Sequence, residues 1–156
     1  MKKKIFTFLL FLFLSSCGYE AIYSLKNRVN YAFSINTLVF SGDREVNLKI
    51  KQILNNYRNP SIEEKKSFGL KISSSSEKII TAKDASGDAI RFKNEITVNV
   101  QVSTGGAIKT SFSVAENFNY NNNSNTPELR AYEKQIKNNL TEAAVDKIIF
   151  KLAHIK

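Results

Sequence analysis

Apolar residues recur along this chain at two spacings, every second residue and every third or fourth, and the order in which they alternate predicts the fold. Residues 32–40 alternate loosely, with Phe33, Ile35, Thr37 and Val39 on one side and Leu38 and Phe40 on the other. This predicts a strand that both faces could help to bury. Ser41, Gly42 and Asp43 stop it, and Asp43 with Glu45 suits a helix start. Val46, Ile50, Ile53, Leu54 and Tyr57 then fall on one helical face, ending before Pro60. Phe68, Leu70, Ile72 and Ser74 resume the two-residue period, and Ile79 and Ile80 extend it. After a turn containing Asp84, Ser86, Gly87 and Asp88, the clearest alternation follows: Phe92, Ile96, Val98, Val100 and Val102 against Arg91, Lys93, Glu95, Thr97, Asn99 and Gln101. That strand is expected to be buried on one face only. Gly105-Gly106 predicts a tight hairpin turn into a partner strand carrying Ile108, Thr110, Phe112 and Val114, prolonged by Phe118 and Tyr120. The asparagine-rich residues 117–125 read as a loop. Thr126-Pro127-Glu128 then opens a last helix with Leu129, Tyr132, Ile136, Leu140, Ala144, Ile148 and Leu152 on one face. The order is strand, helix, three strands, helix. It predicts an α+β domain with two helices packed on one face of a mainly antiparallel four-stranded sheet.

The N-terminus follows another rule. Lys2, Lys3 and Lys4 precede residues 5–14, which are apolar except at Thr7, and Leu14-Ser15-Ser16-Cys17 closes the run. This ten-residue stretch is about half of what a bilayer-spanning helix needs. The profile is that of a signal peptide over residues 1–16, and small residues before a cysteine are the pattern of a lipobox. Cys17 is the chain's one cysteine, so it has no disulfide partner within the chain, and it is the expected lipid-attachment residue. Residues 17–31 would then be a lipid-anchored tether and residues 32–156 the folded domain. With Gly at position 18 rather than Asp, similarity to proteobacterial lipoproteins favours the outer membrane, with the domain facing the periplasm.

Charge narrows the class of partner. Formal charge falls from +9 to +6 once Lys2, Lys3 and Lys4 are removed. Such an excess usually suggests nucleic acid, but the polyanion that a periplasm-facing domain meets is lipopolysaccharide. Nucleic acid is disfavoured also because most aromatics of the hairpin fall on its buried side, leaving no stacking platform. The single histidine, His154, lies two residues from the chain end. No cluster of metal ligands and no nucleophile beside a base can be assembled, and Gly105-Gly106 precedes a strand rather than a helix. The expectation is a protein without catalysis, metal or cofactor.

Several short motifs together resemble the LptE family of lipopolysaccharide-assembly lipoproteins, in its alphaproteobacterial form. Cys17-Gly18-Tyr19 with Ile22 and Tyr23 is similar to the family's opening, and Arg44 with Gln52, Ile53, Leu54 and Asn55 to its first helix. Asp84, Gly87, Ala89, Arg91 and Phe92 resemble the approach to its third strand, and residues 148–152 its closing helix. The asparagine-rich run departs from the family. The resemblance implies an outer-membrane lipoprotein that plugs an LptD-like β-barrel, helps it assemble and passes lipopolysaccharide to the outer leaflet.

Arg91, Lys93 and Lys109 fall on the polar side or ends of the hairpin, where a rigid sheet could present them to phosphates. Arg91 and Arg130 lead the candidates for lipopolysaccharide contact, because the resemblance also places basic groups near the starts of the third strand and last helix, and a guanidinium can hold a phosphate through two bonds. Thr97, Asn99 and Gln101 would face a barrel lumen. The alternative is a structural envelope lipoprotein that binds another envelope protein or peptidoglycan without touching lipopolysaccharide.

Overall fold

The computed structural model describes residues 33–58, 66–122 and 126–155. The expected signal peptide, Cys17 and the tether lie outside these residues. The elements are β1 (Phe33–Gly42), α1 (Arg44–Leu54) continued by a 3₁₀ turn (Asn55–Tyr57), β2 (Lys66–Lys83), β3 (Ala89–Thr104), β4 (Ala107–Asn121) and α2 (Thr126–Ala153). The strands lie side by side in chain order; β1 runs parallel to β2, and the other two pairings are antiparallel. The α+β order expected from periodicity is the one observed.

Both helices bury their apolar stripes against the same side of the sheet. Asp43 Oδ1 accepts from the Val46 N–H at 3.0 Å and caps α1, as its position before an acidic first turn predicts. Val46, Ile50 and Leu54 then point inward at four-residue steps. On α2, Ile136, Leu140, Ala144, Ile148 and Leu152 do the same, with Val145 and Ile149 beside them. Opposite them stand Phe68, Leu70, Ile72, Ile96, Val98, Val100 and Val102. Each large apolar side chain fully buried this way contributes roughly 1.5–3 kcal/mol against chain entropy.

Two local expectations are corrected. In β1 the register shifts between Ile35 and Thr37, so a bulge turns the strand over. Phe33 and Ile35 share the helix side with half-buried Leu38 and Phe40, whereas Val39 is 50% exposed. A bulge inserts one residue into a strict period of two, and a sequence pattern cannot show it. The asparagine-rich segment is also not a loop throughout: β4 runs to Asn121, with Asn117 opposite Glu95 and Asn121 opposite Arg91. Buried Tyr120, opposite Phe92, anchors this extension and overrides the weak strand preference of asparagine.

At the hairpin, Gly105 and Gly106 have φ of 58° and 85°. Two successive positive φ angles are what a two-residue turn between right-twisted strands demands. This turn and the starts of β1 and β2 mark one end of the sheet. The other end holds the β2–β3 turn, the end of β4 and the start of α2.

Candidate ligand-binding surface

Among the described residues no helix covers the sheet's second face, which is almost uncharged at its centre. Lys71, Ser73 and Ser75 on β2 stand opposite Gln101, Asn99 and Thr97 on β3, and these in turn opposite Ser111, Ser113 and Ala115 on β4. Single-face burial of β3 was legible from its alternation. The three-strand extent of the polar array follows only from the pairing register.

The four basic residues singled out in the sequence are not brought to one patch. Arg91 and Lys93 are neighbours on one side of β3, about 7 Å apart along the strand. Lys93 is half-neutralised, because its Nζ lies 2.7 Å from Glu95 Oε2. Arg91 is exposed and has no carboxylate partner among the described residues. Lys109 sits by the Gly-Gly turn, roughly 30 Å along the sheet from Lys93. Arg130, exposed in the second turn of α2, is near the Arg91 end of the sheet but is not part of the cleft described next.

That cleft, of about 1060 Å³, runs between the start of β3, the end of β4 and the start of α2. Arg91, Asn119, Asn121, Glu128 and Tyr132 line it. Its floor is fixed by a network that sequence reading missed. The Tyr120 hydroxyl donates to Glu133 Oε1 at 2.8 Å, and Lys78 Nζ donates to the same oxygen. Lys78 Nζ also lies 3.9 Å from the centre of the Phe92 ring. Burial, reinforced by the Glu133 carboxylate, pushes the Tyr120 hydroxyl well above the ordinary phenol range. At physiological pH it is a locked donor, not a base. The sequence signal was the alternation of asparagine with aromatics over residues 117–121, which a composition-based loop assignment hides.

Among the described residues no three His, Cys, Asp or Glu side chains cluster as a metal site would require, and no helix there is long and apolar enough to cross a membrane. His154 packs its ring on Phe150 at 4.3 Å, and its Nδ1 lies 2.7 Å from the Phe150 carbonyl.

Solved bacterial lipoproteins share this fold. The rare lipoprotein B structure from Shewanella oneidensis matches with a TM-score of 0.55 at 19% identity, over 76% of this chain and 94% of that one. A lipoprotein from Caulobacter crescentus matches at 0.54 and 16%, over 79% and 90%. A minor lipoprotein from Acinetobacter baumannii matches at 0.56 and 9%, over 78% and 92%. At these identities the likeness is one of fold. No protein-family profile and no curated protein sequence matches the chain.

Proposed function

We propose that this chain is an outer-membrane lipoprotein of LptE type, anchored through Cys17, that plugs and helps assemble an LptD-like β-barrel and takes part in lipopolysaccharide transport without catalysis. The fold shared with rare lipoprotein B supports an envelope lipoprotein, and the short motifs around Cys17, Arg44 and Arg91 supply the resemblance to LptE. The observation that carries the reading is the open sheet face. Its small neutral side chains, Ser73, Thr97, Asn99, Gln101, Ser111 and Ser113, suit the polar lumen of a large barrel better than an apolar partner or a membrane. Lipidation would hold the domain at the barrel's periplasmic mouth.

The scattering of Arg91, Lys93, Lys109 and Arg130 favours a second reading, a structural envelope lipoprotein that binds a protein or peptidoglycan and never meets lipopolysaccharide. Depletion in the native host separates the two. The first reading expects surface lipopolysaccharide to fall, a large barrel protein to lose its folded form, and a one-to-one complex to co-purify. Normal surface lipopolysaccharide with no barrel in the complex would leave only the second.

A further inference from the structure

We propose that the seam between the C-terminal half of β4 and the first turns of α2 is a saccharide-binding groove. Two cavities adjoin there, and Phe118 and Tyr132 line both. These rings are 46% and 44% exposed, although a core residue of their size would be covered. Tyr132 is braced edge-on by Tyr120, with centroids 6.0 Å apart and planes at 83°, and Tyr120 is pinned through its hydroxyl to Glu133. The platform is therefore rigid before any ligand arrives, which lowers the ordering cost of binding. Beside the rings on the helix side stand Gln135 and Asn139, and Asn119 and Asn121 line the adjoining cleft from the other side of β4. None of these amides has a side-chain hydrogen bond among the described residues.

An amide offers two donors and an acceptor, matching the mixed donors and acceptors of vicinal sugar hydroxyls. A ring's electron-rich face suits the slightly positive C–H face of a pyranose. Among the described residues the groove's charged lining is one cation, Arg91, against one anion, Glu128, so a cluster of phosphates finds no excess of positive charge there. Sugar therefore fits better than phosphate. In the envelope it has two sources, the oligosaccharide of a glycolipid and the glycan of the cell wall. The inference rests on the proposed envelope location but not on a barrel partner.

The test is saturation-transfer NMR on the full-length lipidated protein in detergent. The probes are core oligosaccharide freed of lipid A, and the N-acetylglucosamine–N-acetylmuramic acid disaccharide, each with and without excess inorganic pyrophosphate. Transfer to at least one saccharide is expected, with pyrophosphate failing to displace it. The saccharide that binds identifies the source. Tyr132→Ala should weaken binding about tenfold, equivalent to the loss of one stacking contact of about 1.4 kcal/mol, and Asn139→Ala, on the exposed helix surface, should weaken it without affecting the fold. Transfer to neither sugar, displacement by pyrophosphate, or wild-type binding by both variants would overturn the groove. Barrel co-purification, scored on the same variants, should be unchanged, so failure here is distinguishable from failure of the proposed function.

Discussion

Lys137 Nζ lies 2.9 Å from Asp43 Oδ2, so the carboxylate that caps α1 is also held from the middle of α2. Glu45 Oε2 joins the same ammonium at 2.9 Å. Burial alone would raise the Asp43 carboxyl, but the Val46 N–H and Lys137 outweigh it and hold it below its ordinary value of 3.8. Because the unfolded chain takes up the proton first, this stabilisation is complete above about pH 4 and disappears as pH falls below that. Asp43→Asn keeps the cap and removes only the charge. It should cost about 1 kcal/mol at neutral pH and less at pH 3, as measured by urea unfolding at both pH values. An equal loss at both would show that the ion pair is not what couples the helices.

Gly42 should tolerate no side chain. Its φ is 92°, and a Cβ there would lie 1.9 Å from the Ser74 carbonyl oxygen, the same oxygen that accepts from the Asp43 N–H at 2.9 Å. Gly42→Ala must break the β1–α1 corner or push β2 away, at an expected cost of 3 kcal/mol or about that. Gly87 has a similar φ, 90°, but open space around it, so Gly87→Ala should cost only about 1 kcal/mol. Comparing the two denaturation midpoints separates steric clash from backbone strain.

Tyr120 supplies an alkaline counterpart. Its folded pKa is raised above the ordinary 10.0 by burial and by Glu133, so its contribution is complete below pH 10 and lost as pH climbs beyond it. Lys137 adds to the same limb. Burial lowers its pKa, but Glu45 and Asp43 outweigh this and raise it. Tyr120→Phe should cost about 1 kcal/mol at pH 7 and make stability less sensitive between pH 10 and 11. In ultraviolet titration of the wild type, one tyrosine should stay protonated until the fold is lost. Ordinary titration of every tyrosine would mean that the hydroxyl is not held by Glu133.

The elements were readable because each carries an unbroken period: Val46, Ile50 and Leu54 for α1, Phe92 to Val102 for β3, and two glycines for the turn. What stayed hidden has physical causes. The β1 bulge falls between Ile35 and Thr37, where the inward apolar residues change from odd to even positions, a switch that a fixed period of two cannot follow. The end of β4 depends on one buried tyrosine whose partners, Phe92 on β3 and Glu133 on α2, are brought to it only by the fold. The cleft was only partly legible. Arg91 could be picked out by charge, but Phe118 and Tyr132 looked like core residues in periodic segments, and only three-dimensional packing leaves them uncovered. Lys93 and Lys109 were grouped by their shared polar side, which register then separated by the length of the hairpin.

That separation sharpens the lipopolysaccharide prediction. Arg91→Asp with Lys93→Asp reverses two adjacent charges on exposed or half-exposed strand positions, so the domain should stay folded, with at most about 1 kcal/mol lost from the Lys93–Glu95 pair and its replacement by a like-charge contact. If phosphates dock at this end of the sheet, binding of purified lipopolysaccharide should weaken about tenfold or more and the remainder should be less sensitive to salt. Lys109→Asp changes net charge in the same direction at the other end of the hairpin and should leave affinity within about twofold. Equal losses from all three substitutions would mean that the ligand responds to overall charge alone, and undiminished binding by the double variant would remove Arg91 and Lys93 from the site.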